Sequence, residues 1–318
     1  MGRRVGRLSR HAKRVGNAIV GATAIALIRL LRLTNPDKMA DMAGALMRRI
    51  GPLLPENRIG RANLTAAFPQ KSPAEIEKIL RAVWDNVGRM VAEFAHLDRL
   101  SDFDPWHPER PARIEAHKED IARFFKLLDS GKPGLVFASH FANWELPAVC
   151  AAACKIDSAV LYRRPNIPAI DKWLHKTRSA SMGTLIPTGL DAPLRLADAL
   201  SRNVHVGMLV DQYYSRGVDV TFFGRRTKAN PLLARLARHF DCPIHGTRIV
   251  RLPNHRFRAE LTEEIEPVRD AEGKIDVAGT TQVITSVIEG WIRENPEQWL
   301  WLHRRWRPED YERASDPS

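Results

Sequence analysis

The chain has 318 residues, of which 49 are Lys or Arg and 37 are Asp or Glu, a formal charge of +12. Its 44% apolar content is enough for a real core, in one large or two small domains. A basic excess of this size expects an acidic partner, and of the usual ones nucleic acid lacks support: the chain carries no helix-turn-helix, RNP-type or zinc-finger pattern. Walker A, GxGxxG and HExxH patterns are also missing, so neither nucleotide nor zinc chemistry has a signal, and no cofactor and no metal is expected.

In chain order, the first fourteen residues hold six Arg or Lys and no acid, and the run Val15 to Ile28 is free of charge. Fourteen residues are short for a span, which needs about 20. The apolar character continues through Leu30, Leu31 and Leu33, with Arg29 and Arg32 able to snorkel. A secretory signal peptide has a similar basic start and apolar middle. The unbroken apolar exit favours a retained N-terminal membrane helix over residues 1–33, its cations against anionic headgroups.

Asn35-Pro36 supplies an N-cap and an N1 proline for a helix to Ile50, stopped by Gly51-Pro52. Ser72-Pro-Ala-Glu75 is a capping box that launches a long helix. Its apolar positions, from Ile76 through Val83, Val87 and Met90 to Phe94 and Leu97, recur at three- and four-residue steps, while Glu93 and His96 read as surface. A rigid Pro/Trp-rich connector over 102–111 and a helix over 115–130 complete a helical N-terminal region, residues 34–130.

From 131 to 306 strands and helices alternate as in βαβ units. Strands are expected at 135–139, 159–162, 184–187, 204–210 and 219–223, then a β-pair over 242–252 and 256–265. Helices are expected at 168–182, 193–201, 231–240 and 277–293. A Trp-rich closing strand over 298–303 and a polar tail from 307 to 318 end the chain. The three cysteines, Cys150, Cys154 and Cys242, sit in apolar surroundings and read as buried reduced thiols.

The organising stretch is Gly134-Leu-Val-Phe-Ala-Ser-His140-Phe-Ala-Asn-Trp-Glu145, a short buried strand running into a turn and then a helix. Open α/β sheets place their chemistry at the carboxyl ends of strands. With His140 on the turn and Glu145 in the first helical turn, the carboxylate can fold back to the imidazole, a base held by an acid. A strand-capping His and a Glu that favours a helix N-terminus remain the plainer alternative for this spacing alone. Asp211 ends the strand 204–210 and so can reach the same sheet edge.

His140-Phe-Ala-Asn-Trp-Glu145 resembles the His-x4-Asp/Glu motif of membrane acyltransferases, in the form carried by the lipid A late acyltransferases. Leu161-Tyr-Arg-Arg-Pro-Asn166, Val210-Asp-Gln212 with Phe222-Phe-Gly224, and Asn295 to Trp306 resemble the same family, in its order, over about residues 15–308. The resemblance implies a glycerolipid-acyltransferase-like αβα sandwich behind the N-terminal membrane helix. It implies His140 as general base with Glu145 as its orienter, and Arg164, Arg178 and Asp211 on the substrate-binding face. Arginine is doubled at 163 and 164, with Arg164 beside the proline chosen; a solvated basic loop and an exposed helix arginine are the alternatives for Arg164 and Arg178. The family commonly continues Asp-Gln/His-Asp-Tyr, whereas this chain has Asp211-Gln-Tyr-Tyr214 and lacks that second acid.

The implied reaction moves a fatty acyl group from acyl carrier protein to a hydroxyl on an acyl chain of an anionic lipid A precursor. It implies no acyl-enzyme, and a location at the cytoplasmic face of the bacterial inner membrane. Two rival readings are an acyl-CoA-dependent glycolipid acyltransferase and a non-catalytic basic peripheral membrane protein. Phe222-Phe223 reads either as an apolar lip for lipid or as an ordinary edge strand, and Arg304-Arg305 as part of a phosphate-facing rim.

Overall fold

The computed structural model describes residues 32–100, 102–165 and 167–307, with residues 16, 21–23, 25, 26 and 28–30 before them. The expected membrane helix therefore lies largely outside the described residues. Among those described, no helix is long and apolar enough to cross a membrane. Residues 21–23, 25, 26 and 28–30 are helical, and Arg32 ties this segment to the body by donating to the Ala95 carbonyl and pairing with Asp98.

Helix α1 (Pro36–Ile50) starts where the Asn35 side chain accepts from the backbone N–H groups of Asp37 and Lys38. It is followed by α2 (Glu56–Ala67), absent from the sequence expectations, and by α3 (Pro73–Phe94), whose Ser72–Glu75 capping box is formed in both directions. Gly88 of α3 lies so close to the Ala43 carbonyl of α1 that any Cβ there would collide with it. The short α4 (Leu97–Leu100) leads to β1 (Ile114–Glu115) and α5 (Lys118–Asp129).

The alternating part then runs β2 (Leu135–Ala138), α6 (Leu146–Ala153), β3 (Ser158–Tyr162), α7 (Pro168–Ser181), β4 (Thr184–Pro187), α8 (Ala192–Ser201) and β5 (His205–Leu209). A two-stranded hairpin, β6 (Val218–Phe222) and β7 (Arg225–Ala229), stands apart from the main sheet. After it come α9 (Leu232–Phe240), β8 (Ile244–Arg251), β9 (Phe257–Leu261) and α10 (Val277–Glu294).

The seven-stranded sheet has the order β1-β9-β8-β2-β5-β3-β4, and only the β8–β9 pair is antiparallel. Neighbouring residues Ile249 and Val250 of β8 belong to different buried clusters, as side chains on opposite faces of a strand must. One cluster joins Phe137 and Val206 of the sheet to Trp84, Leu196, Leu233 and Ile288 from α3, α8, α9 and α10. The other joins Tyr162 and Ile249 to Leu146 and Val149 of α6. Helices cover both faces of a mostly parallel sheet, as α/β chemistry requires.

Three expectations fail. The segment 298–303 is no strand: a 3-10 turn at Pro296–Gln298 leads into turns, and an isolated bridge between Trp299 and Phe141 replaces a ladder. Of the two readings of Phe222-Phe223 the lipid-facing lip fails, since both are buried in an aromatic cluster with Phe68, Trp299, Trp301 and Trp306, and Phe222 instead ends the hairpin strand β6. Arg305 is no rim cation, because it is buried, donates to Thr227 and the Lys228 carbonyl, and lies over the Phe222 ring.

Candidate active site

Strands β2 and β5 are parallel neighbours, with Ala138 opposite Leu209. His140 and Asp211 each lie two residues beyond those partners, so the register alone brings them together at the carboxyl edge. The His140 Nδ1 and Asp211 Oδ1 atoms are 2.8 Å apart. The second carboxylate oxygen, Oδ2, accepts from the His140 backbone N–H at 2.8 Å and from the Trp299 indole N–H at 2.7 Å.

Asp211 is buried, and burial pushes its carboxyl up. The charge and hydrogen bonds of His140, with the Trp299 indole, outweigh that and hold it below the usual carboxylate range. An ionised carboxylate only accepts, so Nδ1 carries the proton and Nε2 presents its lone pair to the surface pocket. There the Gln212 side-chain nitrogen lies 3.4 Å from Nε2, and the pocket wall continues through Tyr213, Leu300 and His303.

Glu145, the expected orienter, is turned away from His140. It occupies the N-cap of α6, where it receives a two-pronged ion pair from Arg178 of α7: Nε to Oε2 at 2.9 Å and Nη2 to Oε1 at 2.5 Å. Asp211 fills the position against the imidazole instead, because it arrives on the strand next to β2. Arg178, expected to face an anionic substrate, gives two of its nitrogens to Glu145, and its guanidinium lies over the Phe94 and Tyr162 rings.

The loop that carries His140 is clamped from beneath. Ala142 sits in the left-handed region, at φ 47°, a strained conformation for a residue with a Cβ. The Leu300 N–H donates to the His140 carbonyl at 3.0 Å, and the Ala142 N–H to the Gln298 carbonyl at 2.7 Å. Asn143 is wholly buried; its amide donates to Glu93 Oε2 at 2.9 Å and its oxygen accepts from the Glu145 N–H. Glu93 is paired in turn with Arg251, whose Nε donates to Asn86. Glu93 and His96, expected at the surface, are both buried.

Sequence reasoning missed this clamp and the Trp299 indole. Glu93 offered a signal, since an acid three residues after Met90 and one before Phe94 interrupts the apolar stripe of α3. Arg251, near the end of a predicted strand, offered none.

Arg163 and Arg164 are both exposed just beyond β3, and Arg163 is the one whose charge reaches His303. His303 is solvent-accessible at the rim. Even so, the surrounding protein, then His140 when protonated and the Arg163 charge, hold its imidazole below the ordinary value.

The three cysteines are buried and free, and burial pushes Cys154 up to about 12 and Cys242 up to about 11. None is placed to act as a thiolate nucleophile at neutral pH. Among the described residues no three His, Cys, Asp or Glu side chains cluster as metal ligands would. The arrangement can therefore take a proton at His140 Nε2 from a group arriving through the pocket, with Asp211 fixing the tautomer.

The family model "Bacterial lipid A biosynthesis acyltransferase" matches residues 8–308. A lipid A biosynthesis palmitoleoyltransferase of Escherichia coli (strain K12) is 24% identical over 256 residues, 78% of each chain. A lipid A biosynthesis acyltransferase of Shigella flexneri matches to the same extent, 24% over 256 residues.

Proposed function

The chain belongs to the bacterial lipid A biosynthesis acyltransferase family, and from that premise we propose that it transfers a fatty acyl group from acyl carrier protein to a hydroxyl on an acyl chain of a lipid A precursor. The observation that carries the reading is the His140–Asp211 pair, with Nε2 on the pocket side beside Gln212 and Nδ1 held 2.8 Å from a buried carboxylate.

In the proposed step Nε2 removes the proton from the acceptor hydroxyl as its oxygen attacks the thioester carbonyl. The new C–O bond forms and the C–S bond breaks. The imidazolium then returns its proton to the departing sulfur, leaving an ester and a free carrier thiol. Nothing is oxidised or reduced. Asp211 stabilises the imidazolium while it exists, and a base so placed contributes roughly 10²–10⁴ in rate. A thioester is already a reactive electrophile, and the buried, protonated thiols are poor candidates for an acyl-enzyme nucleophile.

Within this reading Glu145 and Arg178 act as a unit. Their ion pair fixes the start of α6 against α7 and so supports the wall beside His140. The exposed Arg163 and Arg164, rather than the engaged Arg178, are the cations available to the acceptor's anionic groups. The charge of +12 suits two acidic partners, the carrier protein and the polyanionic acceptor. The site of action would be the cytoplasmic face of the bacterial inner membrane, with the N-terminal segment as anchor.

The test is thioester consumption by the full-length protein with acyl carrier protein or coenzyme A as carrier, each with and without the lipid A precursor. The reading expects consumption of the carrier-protein thioester only when the acceptor is present. Preferential use of acyl-CoA would favour a different donor, and acceptor-independent consumption would contradict direct transfer.

A further inference from the structure

The loop after β4 carries two leucines that the fold leaves in solvent. Leu190 is 98% exposed and Leu194, in the first turn of α8, is 75% exposed, with Pro193 exposed between them. Ordinary globular surfaces show scattered apolar residues, but two near-naked leucines four positions apart form a protruding apolar point.

Their place in the fold is specific. β4 is parallel to β3, with Pro187 opposite Tyr162, and the Thr188 N–H donates to the Tyr162 carbonyl at 2.8 Å. The loop therefore leaves the same carboxyl edge of the sheet that presents His140, Asp211 and Arg163. The N-terminal segment lies along this edge too. Gly21 abuts Ala169 and Ile167 at the start of α7, and Arg32 is bound to Ala95 and Asp98 just after α3. Between those two anchor points Leu30 is 62% exposed, and Leu33 just beyond is 83% exposed. Exposed cations, Arg29, Arg163 and Arg164, accompany the apolar residues, and beside the leucines Arg195 is paired with the exposed Asp191.

We infer that Leu190 and Leu194 enter the interfacial layer of an anionic lipid bilayer, forming a second membrane contact beside the N-terminal segment. Two contacts on one edge orient the sheet as a single tether cannot. They hold the pocket at His140 toward the headgroups. The chemistry of the edge, exposed apolar side chains with Arg29, Arg163 and Arg164 at the same edge, is that of an interfacial element on anionic lipid rather than a spanning one. The inference rests on the acyltransferase reading in taking the acceptor to be embedded in the bilayer and the N-terminal segment to be a membrane contact.

The experiment uses the full-length protein and vesicles of phosphatidylethanolamine and phosphatidylglycerol. A nitrobenzoxadiazole label is placed on the Leu190→Cys variant; the native cysteines are buried, and labelling of the unsubstituted protein measures any background. The label should shift to the blue on vesicles and be quenched by doxyl-labelled lipid. The Leu190→Asp/Leu194→Asp variant should bind these vesicles at least about tenfold more weakly for each leucine lost. It should turn over vesicle-embedded acceptor correspondingly less well, while keeping full turnover on detergent-dispersed acceptor.

A label that stays solvent-like on vesicle-bound protein would overturn the inference, as would unchanged vesicle binding by the double aspartate variant. So would a dimer in vesicle-free solution that the same substitutions dissociate, since the leucines would then belong to a second copy of the chain. No turnover in detergent by the unsubstituted protein would count against the acyltransferase reading alone, leaving the label to decide the membrane contact.

Discussion

Asp211 Oδ1 lies 2.8 Å from His140 Nδ1, across 71 residues of sequence, because both residues stand two positions beyond register partners on adjacent parallel strands. The carboxylate's other oxygen holds the His140 backbone and the Trp299 indole. One buried acid thus fixes the ring, the loop and the C-terminal segment together.

Asp211→Asn tests the tautomer. An amide NH₂ facing Nδ1 would favour the proton on Nε2, removing the lone pair from the pocket side. Turnover should fall about 10²–10⁴-fold, with KM for the lipid little changed. Steady-state kinetics on folded variant protein checks this, and a pure KM effect would instead place Asp211 in acceptor binding.

The Glu145–Arg178 pair is buried enough that removing one partner strands the other. Arg178→Ala should lower stability by about 3–5 kcal/mol in denaturant unfolding. Arg178→Lys should recover only part of it, since one ammonium cannot make both bonds of the fork. Unaltered stability together with a raised KM for the lipid would restore Arg178 to the acceptor's anionic groups.

The clamp under the loop predicts a rescue. Glu93→Gln removes the charge opposite Arg251, and Asn143→Asp sets a second carboxylate against Glu93. Each alone should lower both turnover and melting temperature. Combined, they exchange the amide and the acid while keeping one negative charge for Arg251, and should recover part of each loss. A coupling near zero, rather than roughly 0.5–3 kcal/mol, would show the two side chains to be independent.

Acid should reveal Asp211 as well. Its folded pKa is held below the ordinary value of 3.8, so the unfolded chain binds the proton first as pH falls. The stabilisation is therefore complete above the unfolded value and disappears as pH drops through the folded one. Unfolding free energies measured from pH 6 downward should decline more steeply for the parent than for Asp211→Asn. Parallel curves would mean that the carboxyl is not depressed.

Much of this arrangement was legible in the residues. The capping box at Ser72, the alternation after residue 131 and the turn at His140 each rest on local signals, and they appear where those signals put them. Asp211 was placed at the right edge, but its pairing with His140 depends on strand order, which no local pattern encodes. The expected contact of Glu145 with His140 fails for the same reason: a spacing of five suggested a fold-back, whereas the packing of α6 on α7 delivered Arg178 to it. The Trp alternation over 299–301 mimicked a strand because two buried indoles pack edge to face at 4.6 Å, without a ladder.

His140 is proposed as the base for transfer from the carrier thioester to the lipid hydroxyl. The most direct measurement of that role is single-turnover acyl transfer by purified, folded His140→Ala protein, with the acyl carrier protein thioester and the lipid A precursor both saturating. The rate should lie at least about 10²-fold below the parent, with acceptor binding retained and no acyl group on the protein. A rate near that of the parent, or an acyl adduct that accumulates on the variant, would contradict it.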